Sequence, residues 1–253
     1  MTAQPALTVL RAGDAFPPVS RAWGPLTSAP GLVAAGGDLT VATLRAAYSS
    51  TIFPWFSDGD PILWWSPDPR MVLHVDEFRL HRSLRKVIER FRSAPGCEIR
   101  IDTAFDRVVR ACAEAPRPGQ GGTWIVPEMQ QAYGALHRAG FAHSFEAWVG
   151  TELVAGLYCV GIGQAVFGES MFTDVTDGSK VALAALVAWC RSQGLPVIDC
   201  QQNTGHLSFM GAREMAREDF ARKVAELTPL APPIWKFDPV YWNALLPSPS
   251  AAR

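Results

Sequence analysis

Over residues 144–202 the chain spells three strands, a helix and a further strand in unbroken succession. No other feature narrows the possible folds as much. Ser144-Phe-Glu-Ala-Trp148, Leu153-Val-Ala-Gly-Leu-Tyr-Cys-Val160 and Ala165-Val-Phe-Gly-Glu-Ser-Met-Phe172 are separated only by Gly150-Thr and Gly161-Ile-Gly163. Turn-length glycine breaks between such runs predict an antiparallel meander. Residues 179–191 are helical in pattern and strongly apolar, through Val181, Leu183, Ala184, Leu186, Val187 and Trp189, and Gly194 ends the run. Leu195-Pro-Val-Ile-Asp-Cys-Gln-Gln202 then reads as a short core strand. The succession predicts an α+β fold on a mixed, mostly antiparallel sheet.

Polar residues on this frame are few. Strict alternation in the last strand puts Asp199 and Gln201 on one face, with Ile198 and Cys200 on the other. Burying an unpaired carboxylate is costly, so Asp199 either caps the turn that follows or belongs to a pocket that uses it. The spacing alone leaves both open. In the third meander strand the same alternation predicts Phe167, Glu169 and Met171 on one face. An acid between two apolar side chains is either paired in a core or set in a pocket with an apolar floor.

Upstream, residues up to about Pro30 read as an extended wrapping arm. Residues 31–38 form a glycine turn, followed by a helix to Tyr48 capped by Thr40; the glycines lack the Lys-Ser/Thr of a phosphate-binding loop. Residues 52–70 hold three of the nine tryptophans. Prolines stiffen this stretch, making Trp55 a candidate face for a flat ligand, with Trp64 and Trp65 turned inward and partly inward. Residues 78–91 predict an amphipathic helix. Leu80, Leu84, Val87, Ile88 and Phe91 form its buried stripe, and Arg79, Arg82, Lys86 and Arg90 its basic side, thickened by Arg85 and Arg92. In a chain of formal net charge -1 this is the one patch suited to phosphates. A strand over 97–101, a helix over 105–113 and a glycine-rich loop over 116–122 come next. Trp124 is a second candidate ligand wall, before a helix starting at Pro127. After Gln202 come a turn to His206, a short charged helix around 217–220, and a Pro-rich tail packing through Trp235 and Trp242.

Hydrophobic residues make up 48% of the chain and charged residues 19%, the balance of a soluble globular protein. The five cysteines form no C-x-x-C pair and no Cys/His set of metal spacing, which suits reduced thiols and no metal site. Nothing approaches the roughly 18 apolar residues of a membrane span, and residues 1–11 lack an export pattern.

Eight motifs now stand in register. They are Gly31-Leu-Val-Ala-Ala-Gly-Gly-Asp-Leu39, Ile52-Phe-Pro-Trp-Phe56 through Trp64-Trp-Ser-Pro-Asp-Pro-Arg70, Gly122-Thr-Trp-Ile125, Gly140-Phe-Ala-His-Ser-Phe-Glu146, Leu153-Val-Ala-Gly-Leu-Tyr158, Phe167-Gly-Glu-Ser-Met-Phe172, Ser179-Lys180 and Ile198-Asp-Cys-Gln201. Together they resemble the leucyl/phenylalanyl-tRNA-protein transferases, from about Gly31 to Phe220. The resemblance implies a bacterial cytosolic enzyme of the N-degron pathway. Such enzymes move Leu, or less readily Phe or Met, from charged tRNA to the α-amino group of proteins beginning with Lys or Arg, marking them for degradation. It implies a small N-terminal domain (residues 1–75) and a catalytic domain (residues 76–253) of the GNAT-type acetyltransferase fold, used without coenzyme A. The partners implied are leucyl-, phenylalanyl- or methionyl-tRNA and an acceptor protein or peptide. No cofactor, metal or membrane is called for, and the chain is expected to act as a cytoplasmic monomer.

Local chemistry agrees with that resemblance. An aminoacyl ester is already activated, so no ATP site is needed. An α-amine with a pKa of about 8 loses its proton near neutral pH for only about 1 kcal/mol. Asp199 is the expected group that attracts the ammonium and takes or relays its proton, with Gln201 orienting the amine or donating to the developing oxyanion. By resemblance, Glu169 holds the α-amino group of the aminoacyl moiety. Leu157, Phe167, Met171, Leu183, Leu186 and Ile198 line its side-chain pocket, Trp55 and Trp124 wall the terminal adenosine, and Arg82, Arg85 and Lys86 bind the acceptor-stem backbone. Three positions depart from the family: Leu157 stands where a methionine is familiar, Leu186 where a phenylalanine is, and Phe209 where a serine is. His206 matches the pattern and receives no role. The rival readings are a coenzyme A-dependent N-acetyltransferase and a non-enzymatic RNA-binding module. Against the first, Arg191-Ser-Gln-Gly-Leu-Pro196 follows a helix and ends in Pro, unlike a pyrophosphate-binding turn at a helix start.

Overall fold

A computed structural model describes residues 6–115 and 125–246. Strands β1 (Thr8–Leu10) and β2 (Leu32–Gly36) come first, then helix α1 (Val41–Ser49) and strands β3 (Phe53–Pro54) and β4 (Leu63–Trp65). The four strands form one sheet in the order β1-β2-β4-β3. Residues 32–36 are thus a strand rather than part of a glycine turn. Turns flank that strand instead, at Gly31 with φ 90° before it and at Gly36 and Gly37, with φ of 83° and 81°, at its end. Thr40 caps α1 as its sequence predicts, accepting from the Thr43 amide at 3.3 Å.

The second sheet takes in β5 (Arg70–His74), α2 (Arg82–Ser93), β6 (Cys97–Ile101), α3 (Phe105–Glu114) and α4 (Pro127–Arg138) as flanking or member elements. The meander follows as β7 (Ala142–Val149), β8 (Glu152–Ile162) and β9 (Ala165–Thr173), then α5 (Gly178–Gln193) and β10 (Val197–Gln201). The last elements are α6 (Gly205–Phe209), β11 (Arg213–Met215) and α7 (Arg217–Leu227). Strand order is β11-β5-β10-β9-β8-β7-β6. All pairings in this sheet are antiparallel except β9 with β10, which α5 connects as a crossover. The sheet is therefore mixed, as the succession of elements predicts. Gly194 closes α5 in the left-handed conformation at φ 71°.

Three local differences from the sequence pattern have clear causes. Strand β5 has no counterpart in the sequence reading, because its apolar run is only three residues long between Arg70 and His74. Helix α2 starts at Arg82 instead of Phe78, because the Arg79 amide donates to the Met210 carbonyl at 2.9 Å and ties this segment to the α6–β11 connection. The turn after Gln202 closes into α6, where the Thr204 hydroxyl accepts from the Leu207 amide at 3.3 Å.

The long sheet is covered on both faces. Leu44, Val108, Tyr133 and Phe220 pack on one side with Trp64 of the first sheet. Val181, Leu186, Trp189, Leu84 and Ile88 pack on the other. Near-complete burial of such side chains contributes about 1.5–3 kcal/mol each. The C-terminal segment is anchored through Trp235, which stacks on His143 at 3.6 Å and Trp189 at 4.3 Å, and through buried Trp242. Among the described residues, no helix is long and apolar enough to cross a membrane.

Candidate active site

Strands β9 and β10 pair at only two positions, Ile198 with Val166 and Asp199 with Phe167, and then part. A cavity of about 760 Å³ opens where they separate. That volume suits a ligand the size of a drug or a nucleoside conjugate. Both strands carry an irregularity at the fork. On β9, Tyr158 faces Ser170 and Cys159 faces Gly168, so Glu169 is the extra residue. On β10, Asp199 faces Val72 and Gln201 faces Met71, so Cys200 is extra. An extra residue re-aims the side chains beyond it and breaks the strict period of two.

The bulge corrects one expectation. Phe167 and Met171 do not share a face: Phe167 packs against Tyr48 at 5.2 Å and Phe220 at 6.5 Å, behind the cavity, while Met171 lines it. Glu169, Leu157, Leu183, Leu186, Ile198, Asp199, Gln201 and Trp55 all reach the cavity wall. Trp55 comes from the first sheet, with its ring 5.6 Å from that of Trp65, whose Nε1–H donates to the Trp55 carbonyl at 2.7 Å. Trp124 lies outside the described residues.

Asp199 is buried and fully engaged. Arg70 Nε–H donates to its Oδ1 at 2.8 Å and Nη2–H to its Oδ2 at 2.6 Å. Oδ1 also accepts the Gln201 amide at 2.9 Å, which is the turn cap the spacing allowed. That bond holds Gln201 at φ 59°, a backbone conformation unusual outside glycine and often found at functional sites. Gln201 then points Nε2–H at Glu169 Oε1, 3.0 Å away.

Glu169 completes a closed ring with two tyrosines. Tyr48 Oη lies 2.7 Å from Oε1, Tyr133 Oη lies 2.9 Å from Oε2, and the two hydroxyls are 2.5 Å apart. Three O···O contacts need three protons, and the phenols supply two, so the geometry favours a neutral carboxylic acid. Burial pushes the Glu169 carboxyl up to about 8, outweighing the lowering by the tyrosine hydrogen bonds. Burial and the neighbouring Glu169 raise both phenols well above their usual range, so they remain donors.

His206 also lines the cavity, with a buried Nε2 that has no hydrogen-bond partner among the described residues. Its pKa is lowered by burial and then by Lys180, which keeps the ring neutral near pH 7. Outside the cavity, α2 carries Arg82, Arg85, Lys86, Arg90 and Arg92 against one acid, Glu89. Arg82 and Lys86 are exposed and Arg85 is half-buried. His74, Asp76 and Glu77 cluster on the surface, where both Glu77 oxygens are taken by Arg213.

Sequence reasoning missed Arg70, Tyr48 and Tyr133. Arg70 ends the tryptophan- and proline-rich motif of residues 52–70, and an arginine opening a run of Met-Val-Leu was the available signal. The tyrosines gave none, since each sits at ordinary core spacing on its helix.

The family models and the curated relatives carry the same name. A family model described as leucyl/phenylalanyl-tRNA protein transferase matches residues 72–225, and one described as the N-terminal domain of that transferase matches residues 37–68. A Polaromonas protein called leucyl/phenylalanyl-tRNA--protein transferase is 59% identical over 94% of this chain and 93% of its own length. Proteins of the same name from Albidiferax ferrireducens and Leptothrix cholodnii are 57% and 56% identical, covering 96% and 93% of this chain and 95% of each relative. Among solved structures, L-PGS from Bacillus licheniformis has a TM-score of 0.38 at 15% identity, over 74% of this chain and 59% of that one.

Proposed function

The chain belongs to the leucyl/phenylalanyl-tRNA protein transferase family, and from that premise we propose the following course for its reaction. The enzyme transfers an aminoacyl group from tRNA to the amino terminus of a protein, taking Leu, and also Phe or Met, to acceptors that begin with Lys or Arg and are thereby marked for degradation. It works in the cytoplasm as a monomer. Residues 1–75 form a small N-terminal domain, whose last strand β5 joins the seven-stranded sheet of a GNAT-type catalytic domain of residues 76–253. The parting of parallel strands β9 and β10 supports that assignment.

The observation that carries the reading is the meeting of a polar clamp and an apolar pocket in one cavity. The aminoacyl side chain enters among Leu157, Met171, Leu183, Leu186 and Ile198. Its α-amino group meets Glu169, which the two tyrosines and Gln201 hold in place. An arriving ammonium favours the ionised carboxylate, and the ring's extra proton is released to solvent. Trp55 walls the terminal adenosine.

The acceptor amine attacks the ester carbonyl carbon. A C–N bond forms, the C–O bond to the ribose breaks, and the freed ribose oxygen takes a proton while the amine gives one up. Gln201 sits where its carboxamide can orient that amine or donate to the oxyanion. Asp199 is already neutralised by Arg70. It therefore acts through Gln201, fixing the strained turn that aims its carboxamide. Arg82, Arg85 and Lys86 hold the acceptor-stem backbone.

The test uses purified protein, leucyl-tRNA and a peptide with N-terminal Arg, with and without ribonuclease, and then acetyl-coenzyme A in place of tRNA. Leucine transfer abolished by ribonuclease is expected. Peptide acetylation, or tRNA retention without transfer, overturns the reading.

A further inference from the structure

Phe209 is 55% exposed, although it closes a helix that walls the cavity. One face of its ring is backed by His81, with centroids 3.9 Å apart and planes 14° from parallel. His81 Nε2 lies 2.8 Å from the Phe209 carbonyl oxygen, so in the Nε2–H tautomer the imidazole also donates to the backbone beneath the ring. A lone exposed leucine needs no explanation. An aromatic ring held flat by a second ring and a hydrogen bond, and more than half exposed, is a preorganised stacking surface.

Its position limits what stacks there. Within α6, His206 and Leu207 line the cavity, and Phe209 lies two residues beyond Leu207. His81 is the residue before α2, whose exposed Arg82 and Lys86 and half-buried Arg85 form no ion pair among the described residues. No side chain caps that helix, so its free N–H groups add to the positive potential. The ring pair joins the two elements, since Phe209 ends the helix that walls the cavity and His81 precedes the helix that carries these cations.

We propose that Phe209, backed by His81, is a stacking platform for an unpaired nucleotide of the acceptor strand, one step from the terminal adenosine toward α2. The proposal rests on the tRNA-dependent transfer reading above. Charge favours this occupant over a side chain of the acceptor polypeptide, since an N-terminal Lys or Arg is repelled by α2, whereas a phosphodiester is drawn to it. Stacking on an aromatic ring tolerates any base, so the platform adds affinity and alignment without reading sequence.

The experiment compares two donors, leucyl-tRNA and leucyl-adenosine, the second too short to reach the platform. Phe209→Ala is expected to raise KM for leucyl-tRNA about 5- to 150-fold, far more than for leucyl-adenosine, while Phe209→Trp retains the wild-type ratio. Equal losses with both donors mean that the ring only supports the cavity wall, and no change with either means that it is idle. Both outcomes overturn the proposal. So does an effect on peptide KM that varies with the second residue of the peptide, which assigns the ring to the acceptor. Direct binding of uncharged tRNA to wild type and Phe209→Ala reads the platform separately from transfer: a matching loss of affinity supports it even if the transfer reading fails.

Discussion

Arg70 and Asp199, 129 residues apart in sequence, form a two-point ion pair buried to 1% and 0% side-chain exposure. The pair joins β5 to β10 one strand from the fork at which the cavity opens. Arg70 also donates from Nη1 to the Thr51 carbonyl at 3.2 Å and lies over the rings of Phe53 and Phe220, at 4.8 and 5.1 Å. One guanidinium thus fixes the N-terminal segment, the carboxylate behind Gln201 and helix α7 relative to one another. Arginine suits the task because its fork matches a carboxylate bidentately and its plane stacks on aromatic faces.

Removing one partner of such a pair leaves the other charge buried and alone. Asp199→Ala and Arg70→Met are each expected to cost roughly 3–5 kcal/mol in urea unfolding and to lower transfer as well. Gln201→Ala changes a half-buried residue with no ion pair, so its stability is expected to change by less than about 1 kcal/mol while the transfer rate falls steeply. A Gln201 variant as unstable as the Asp199 variant would make that residue part of the scaffold rather than the amine-handling edge.

Glu169 makes the folded protein sensitive to alkali. Its folded pKa of about 8 is raised above the ordinary carboxyl value of 4.5. The unfolded chain therefore releases this proton first, and the group's contribution to stability falls as pH rises from 4.5 through about 8, by a few kcal/mol in all. Below 4.5 the penalty is absent. Glu169→Gln removes the titration, so the Tm difference between wild type and variant should widen from about pH 5 to about pH 9 in favour of the variant. Tyr48→Phe removes a hydrogen bond that lowers this pKa and is expected to shift the window upward. A pH-independent difference would mean that Glu169 is ionised in the folded state.

Much of this frame was legible because it rests on local chemistry. The meander is punctuated by Gly150 and Gly163, both at positive φ, and α5 is apolar nearly all round and closed by Gly194, as their patterns predict, although Gly161 and Ile162 extend β8 instead of opening the second turn. The approximate place of Asp199, Gln201 and Glu169 was legible for the same reason. Their geometry was not. The bulge at Glu169 inserts one residue and turns Phe167 away from Met171, and no periodicity announces an insertion. Arg70 could not be paired with Asp199 because register between distant strands is set by the whole sheet. Tyr48 and Tyr133 occupy core positions on α1 and α4, and only their convergence on Glu169 sets them apart from other core tyrosines.

Leu186 tests the side-chain pocket. It is 1% exposed and lines the cavity from α5. Leu186→Ala is expected to cost about 2–5 kcal/mol of stability. It also enlarges the pocket, so the ratio of kcat/KM for phenylalanyl-tRNA over leucyl-tRNA should rise about tenfold or more, the scale on which apolar pockets discriminate by size. Equal losses with both donors, measured well below the unfolding temperature, would remove Leu186 from the specificity wall.

The basic face of α2 makes a different kind of prediction, because exposed cations act through the ionic atmosphere. Helix α2 is held to the protein by Leu84 and Ile88, at 4% and 0% exposure, so replacing Arg82 and Lys86 on its outer side should leave the fold intact. Surface changes of this sort usually stay within about 0.5 kcal/mol of wild-type stability. Every phosphate that the protein no longer neutralises should reduce the steepness of log Kd against log salt by roughly 0.7 to 0.9. The double charge reversal Arg82→Glu with Lys86→Glu is therefore expected to weaken tRNA binding strongly at low salt and little at high salt, with transfer from leucyl-adenosine far less affected. Binding isotherms at several salt concentrations separate the possibilities. A parallel shift at every concentration would point to a local packing defect, and an unchanged slope would move the acceptor stem to another face of the protein.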